Sequence, residues 1–309
     1  MGMEKKWVGY MHLVVVYLVW GSTYMAIRVA VREGSGFAPF SLGASRLLMG
    51  CFLVFLIAKI SRKSFRMPRR MLMELAVASV LLWVGGNGLV TWASQHADSS
   101  YAAVLMGAIP IWMVGIESIL DRRRPSLPLV LFLVLGFGGI VTMSWPSLVG
   151  AEPADFWSMV ALIFAPIFWS AGTIIQKRRV RNLSPWVNSA YQQFFGGMGF
   201  LVMSLILREP LPTPSSDAWM AWTYLLIFGS VLAFTSYVIA VQLLPIRVVM
   251  TYSYVNPIIA ILLGWFLLRE VLTPWAIGGS IMILMAVFGI FQVIFSRKRN
   301  LSKPEAGRQ

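Results

Sequence analysis

The 309-residue chain is 58% apolar and only 12% charged, yet it carries a formal net charge of +14. A soluble domain has about 25% charged residues, so this composition excludes one. The basic residues lie in short segments between apolar runs, which ties the charge to membrane topology rather than to nucleic acid. A single cysteine, Cys51, rules out a disulfide within the chain, and with only His12 and His96 no Cys/His metal pattern exists.

Ten apolar runs follow in order, over 8–30, 37–60, 71–95, 99–120, 127–145, 156–176, 185–207, 218–243, 247–268 and 274–296. Each approaches the roughly 20 residues that a helix needs to cross a bilayer. The opening Met-Gly-Met-Glu-Lys-Lys has a signal-peptide flavour. The run after it is long and lacks a small-x-small cleavage site, so it is read as a retained first helix. The expected fold is an all-α membrane protein of ten transmembrane helices.

Charge supports that count. If every second loop is placed on one side, that side collects Lys5, Lys6, Arg62, Lys63, Arg122, Arg123, Arg124, Lys177, Arg178, Arg179, Arg297, Lys298 and Arg299. The other side collects the acids Glu33, Asp98, Glu152, Asp155, Glu209, Asp217 and Glu270. Positive residues mark the cytoplasmic face, which predicts a multi-pass protein of a bacterial inner membrane with both termini cytoplasmic.

The chain also repeats itself. Trp20, Pro39 and Pro110 in the first half match Trp169, Pro185 and Pro257 in the second, with proline spacings of 71 and 72 residues. Gln95 and Gln242 each lie 15 residues before the later proline. The halves are expected to be 1–148 and 149–309, parted in the acidic stretch Pro146–Asp155. Five spans per half make the second half enter the membrane from the opposite face, an inverted 5+5 repeat such as many alternating-access transporters use. Pro110 and Pro257 fall mid-run. They are expected to kink their helices, free the carbonyls of Met106 and Ser253, and act as hinges near a central site.

Several residues could carry that site. Arg46 lies about ten residues into its run, roughly 15 Å deep. A charge at that depth faces the bundle interior or a wet cavity, where its fork of donors suits a carboxylate or phosphate. Structural satisfaction of carbonyls at a helix break is the alternative. Gln192 holds the equivalent place after Pro185, so one half presents a cation and the other a neutral amide. Trp20 and Tyr24 share a helix face and can line a cavity; Trp169 is the repeat partner of Trp20. Asn87, Thr91 and Gln95 form a polar stripe, either a cavity wall or interhelical hydrogen bonds. Tyr252, Tyr254 and Asn256 crowd Pro257, and Tyr101 lies on the fourth run. The stripe Ser99, Ala103, Gly107 and Gly115 reads as a packing seam, as do Gly85-Gly86, Gly196-Gly197 and Gly278-Gly279. His12, Glu74 and Glu117 are the proton-coupling candidates. None reaches mid-membrane, and Glu117 is expected to pair with Arg122–Arg124, so export down a gradient is favoured.

Trp20-Gly21-Ser22-Thr23-Tyr24-Met25-Ala26-Ile27-Arg28 resembles the opening motif of the EamA family, in the drug/metabolite transporter superfamily. Pro39 with Arg46, Ala102-Ala103 through Pro110, and Thr251-Tyr252-Ser253-Tyr254-Val255-Asn256-Pro257 with Leu263-Gly264 and Arg269-Glu270 fit as well. Asp121-Arg122-Arg123-Arg124 departs from the Gly-Glu-Arg turn of many members. The resemblance implies ten helices in an inverted repeat and export of small metabolites such as amino acids.

The reading is therefore a secondary exporter, not an enzyme, for amino acids or related zwitterions and anions. It is expected to work as a monomer in the lipid bilayer on a small-molecule substrate, without cofactor, metal or nucleic acid. Multidrug efflux of lipophilic cations is the alternative; it lacks a mid-membrane acid here. No His-Glu-x-x-His or Gly-x-x-x-x-Gly-Lys-Ser/Thr motif points to a zinc enzyme or an ATP-driven pump.

Overall fold

The structure is a computed structural model and describes residues 3–31, 34–93, 99–150, 156–180, 182–268 and 271–301. Among these the chain is helical, with no strand. The helices are α1 (Met3–Val31), α2 (Pro39–Ile60), α3 (Arg69–Ala93), α4 (Ser99–Met106), α5 (Ile109–Asp121) and α6 (Leu127–Gly150). They continue as α7 (Phe156–Arg179), α8 (Pro185–Ile206), α9 (Ser216–Leu243), α10 (Ile246–Val249), α11 (Tyr252–Leu268) and α12 (Pro274–Leu301). Among the described residues, eight helical segments are long and apolar enough to cross a membrane. The runs at 8–30 and 185–207 are also helices, α1 and α8, of 29 and 22 residues, but are not among the eight. In α8 the amides of Asn188, Gln192 and Gln193 dilute the apolar content.

Local chemistry sets the ends. Pro39 and Pro185 open α2 and α8, where the missing N–H costs no helical bond. Arg62 and Arg208 then follow the ends of these helices in the left-handed region, at φ 51° and 52°. α2 and α8 thus begin and end alike, and both are 22 residues long. Midway, α3 and α9 each loosen into a π-wound stretch, Leu81–Gly88 and Leu225–Ala233. Such windings insert a residue and re-aim the side chains around them.

The two prolines sit differently from one another. The fourth run breaks at Gly107 and Ala108, and Pro110 lies in the first turn of α5, a seat that needs no N–H. The ninth run breaks at Met250 and Thr251, and Pro257 lies inside α11. Each break thus lies upstream of its proline. In the acidic stretch Pro146–Asp155, Pro146 through Gly150 belong to α6, and the rest lies outside the described residues.

Packing is reciprocal. α2 lies against α8, and α6 against α12; α1 packs on α9 and α11, while α7 packs on α3, α4 and α5. α2 and α8 run antiparallel, since Gly43 meets Phe200 and Gly197 meets Leu48. Gly139 on α6 and Gly279 on α12 bring their backbones together, whereas Gly278 and Gly115 face open space. Of the seam expected through Ser99, Ala103, Gly107 and Gly115, Gly115 meets no neighbour within 4 Å and Gly107 belongs to the helix break, while the side chains of Ser99 and Ala103 lie outside the described residues. Small residues permit such close approach in lipid, where van der Waals packing replaces the hydrophobic drive. Large apolar side chains such as Phe52, Leu232, Phe266 and Phe288 point outward. In a bilayer that surface is the lipid-facing belt.

At the Pro39 end, two loops are laced together. Thr213 N donates to Gly36 O and Ser215 N to Ser35 O, both at 3.0 Å. Gly36, at φ 90°, lies so close to the Thr213 carbonyl that a side chain has no room.

Candidate functional site

One cavity, of about 80 Å³, lies where α1, α2, α3, α4, α5, α7, α9 and α11 converge. It is walled by Trp20, Arg46, Trp83, Asn87, Trp169, Tyr252, Ser253 and Asn256, with Thr23, Ile27, Met106, Ile109 and Gly229 filling the gaps. That volume holds a few waters and falls well short of the roughly 300–1,000 Å³ of ligand pockets, so a solute needs the helices to part.

Arg46 is the centre of the site. It is 6% exposed, and none of the residues lining the cavity is acidic. Its Nη2 donates to Asn87 Oδ1 over 3.4 Å, a long bond, and its Nε has no partner. The Trp83 ring lies 5.8 Å from its Cζ, within reach of a cation–π contact. A guanidinium stays charged in proteins and offers five donors. Here the Nε donor is unspent. Trp83 Nε1 is a further buried donor without a partner.

The aromatic walls hold each other. Trp20 meets Trp169 edge-on at 5.7 Å and Tyr252 at 5.0 Å, and Trp83 meets Trp169 at 6.2 Å. Trp20 Nε1 donates to Gly229 O at 3.3 Å, within the π-wound stretch of α9. That loosened backbone turns the Gly229 carbonyl into a fixed anchor for the indole. The break before α11 is secured by Tyr17 and Asn256. Tyr17 Oη and Thr251 Oγ1 share a 2.5 Å bond. Oriented by its neighbours, the Asn256 amide donates to the carbonyls of Tyr252 (3.0 Å) and Tyr17 (3.3 Å).

Six expected residues thus meet at one cavity: Trp20, Arg46, Asn87, Trp169, Tyr252 and Asn256. Met106 and Ser253, each four residues before a proline, line it too. Gln192 does not; it is buried on α8, with Nε2 donating to Asn188 Oδ1 at 2.7 Å. Tyr254 sends its hydroxyl to Leu133 O on α6, away from the cavity. Thr91 donates to the Asn87 carbonyl of its own helix. The side chains of Tyr24 and Tyr101, and residue Gln95, lie outside the described residues. Trp83 escaped the sequence reading, although it precedes Asn87 by four residues and so shares its stripe.

Glu117 pairs with Arg247 on α10 at 2.7 Å, not with Arg122–Arg124. Arg122 takes a left-handed φ of 50° after α5, which turns the basic run away. Asp121 pairs instead with Arg178, at 2.8 Å. Lys177 caps the end of α9, donating to the carbonyls of Val241, Gln242 and Leu244. His12 Nδ1 shares a 3.0 Å bond with Ser236 Oγ, and Glu74 pairs with Arg70.

Comparison with known proteins agrees with this architecture. The chain is 27% identical over 291 residues to the uncharacterized inner membrane transporter YedA of Escherichia coli K12, spanning 93% of this chain and 92% of that one. It is 24% identical to the uncharacterized transporter YoaV of Bacillus subtilis, over 93% and 97% of the two chains. An S-adenosylmethionine/S-adenosylhomocysteine transporter of Chlamydia muridarum is 25% identical over 83% of each. A solved crystal structure superposes with a TM-score of 0.77 and 18% identity, covering 98% of this chain and all of the other, a likeness of fold. The model of the EamA-like transporter family matches twice, over 7–145 and 156–292, and the chain belongs to that family of membrane transporters.

Proposed function

We propose that the protein is a secondary transporter that exports small organic metabolites, amino acids or related zwitterions and anions, by alternating access across the inner membrane. The observation that carries this reading is Arg46. It is a buried guanidinium with an unpartnered Nε, in an aromatic cavity with no acid among its lining residues. Such a site attracts a carboxylate and repels a lipophilic cation. Trp20, Trp83 and Trp169 offer faces for an apolar or planar portion. The relatives named for S-adenosylmethionine are compatible: that solute joins an amino-acid head to a purine.

In this reading α1 and α8 also cross the bilayer, giving ten spans, with both termini cytoplasmic and the protein acting as a monomer. The halves 1–148 and 149–309 form the inverted repeat. The reciprocal pairings of α1 with α9 and α11, and of α7 with α3 and α5, support it. So do the matched ends of α2 and α8. Pro110 and Pro257 lie beside breaks that would let the half-helices tilt.

The test is solute exchange in liposomes holding purified protein. The panel comprises amino acids, S-adenosylmethionine, S-adenosylhomocysteine, nucleobases and lipophilic cations, with wild type and Arg46→Gln side by side. Saturable exchange of a carboxylate-bearing solute, lost in the variant, is expected. Exchange of cations alone, surviving the variant, would replace this reading with drug efflux.

A further inference from the structure

Away from the cavity, α7 and α8 carry buried amides that packing does not satisfy. Gln176 is 1% exposed, and neither its Nε2 nor its Oε1 has a partner. Asn188 and Gln192 are fully buried; each spends one amide atom on the other and leaves Asn188 Nδ2 and Gln192 Oε1 without a partner. Unpaired amide atoms are costly in an apolar interior, so native bundles keep them where something polar visits.

Their positions are not arbitrary. Gln192 lies seven residues after Pro185, as Arg46 lies seven after Pro39, in helices of equal length. Gln176 lies seven residues after Trp169, as Ile27 lies seven after Trp20. Ile27 and Arg46 line the cavity. Gln176 and Gln192 therefore occupy, in the second half, places that line the site in the first, and Asn188 lies one turn before Gln192, bonded to it. The antiparallel register of α2 and α8 sets Gln193 against Gly50. This puts Gln192 about 7.5 Å further along α2 than Arg46, at 1.5 Å per residue.

We propose that Gln176, Asn188 and Gln192 are the second arm of the substrate path. They receive the polar head of the solute when the end of the bundle opposite the Arg46 side opens. The proposal rests on the reading of Arg46 as the anion anchor. Asn188 Nδ2 and Gln176 Nε2 can donate to a carboxylate; Gln192 Oε1 and Gln176 Oε1 can accept from an ammonium. The substrate class is then a small zwitterion, held by a cation in one state and by neutral amides in the other. A neutral arm grips a carboxylate less tightly than a guanidinium does, which gives the two open states unequal affinity.

The single cysteine makes the test direct. In a Cys51→Ala background, Arg46→Cys and Gln192→Cys are each exposed to sulfonatoethyl methanethiosulfonate, in right-side-out and in inside-out vesicles. The proposal expects labelling from opposite faces, each at least tenfold faster than from the other face. Gln192→Cys inert from both faces, or labelled from the same face as Arg46→Cys, overturns it. Asn188→Leu is the second variant, expected to slow liposome exchange at least tenfold with an unchanged melting temperature. Full exchange with a raised melting temperature makes the amides mere packing and also overturns it. The labelling needs no knowledge of the solute, so its outcome is separate from the failure of Arg46→Gln to affect exchange.

Discussion

Arg247 on α10 and Glu117 on α5 are joined by a 2.7 Å bond from Nε to Oε2, across 130 residues of chain. The two belong to the broken fourth and ninth runs, and each lies on the segment of its run that ends nearest the Lys177 cap. With Asp121–Arg178 and Lys177 on the α9 carbonyls, the pair fastens α5, α7, α9 and α10 together at one end.

Glu117→Gln should therefore loosen this end. The side chains are 25% (Arg247) and 15% (Glu117) exposed, so water screens the pair only in part. Losing one charged partner of such a bond costs about 2 kcal/mol. A lower melting temperature in detergent is expected, and the swap Glu117→Arg with Arg247→Glu should recover at least half of the loss. A swap no better than the single variants would show that the charges do not act as a pair.

At the Pro39 end the corresponding fastening is Glu209. Its two oxygens accept the backbone N–H groups of Phe40 at 2.9 Å and Ser41 at 2.7 Å, satisfying donors in the first turn of α2 that have no partner within the helix. A carboxylate there also faces the positive end of the helix dipole. Glu209→Ala should destabilise the protein by about 1–2 kcal/mol, the usual cost of a lost cap. Glu209→Gln, which keeps an acceptor but loses the charge, should lose less. Equal melting temperatures for wild type and Glu209→Ala would rule the cap out.

Much of this was legible in the sequence, and the reason is periodicity. Trp20, Pro39 and Pro110 repeat as Trp169, Pro185 and Pro257, and a membrane helix leaves few other places for such residues to go. Arg46 could be singled out because a charge deep in an apolar run is costly. Gln192 shows where spacing misleads: the repeat equates it with Arg46, but Arg46 lines the cavity while Gln192 is buried against Asn188. Glu117 shows a second limit. Its partner Arg247 is distant in the chain, and nearby Arg122–Arg124 offered an easier reading that a single left-handed residue defeats. The π-wound stretches in α3 and α9 have no composition signal at all, because their residues are those of any apolar helix.

The glycine pair on α12 separates packing from composition. A Cβ on Gly279 would lie 2.5 Å from the Gly139 carbonyl oxygen and 2.8 Å from Met143, on the facing helix α6. On Gly278 it would meet nothing. Gly279→Ala should push α6 and α12 apart and cost about 1–3 kcal/mol, the range for overpacking. Gly278→Ala should be neutral or slightly stabilising, since alanine favours the helix by up to about 1 kcal/mol. Melting temperatures of the two variants in the same detergent decide the matter; equal effects would refute the close α6–α12 contact.

Arg46→Lys tests what the guanidinium does beyond carrying charge. If Arg46 were only a counter-charge, lysine would serve. A planar fork holding a carboxylate at two points cannot be replaced by an ammonium. Two charge-assisted bonds reduced to one correspond to about 1.5–3 kcal/mol, or roughly 10- to 150-fold in affinity. The expected result is a KM for exchange of the carboxylate-bearing solute raised by at least about tenfold, with the protein folded to the wild-type melting temperature. Asn87→Ala should raise KM less, because its 3.4 Å bond positions the guanidinium rather than binding the solute. A lysine variant with wild-type KM would reduce Arg46 to a point charge and remove the argument for two-point carboxylate recognition.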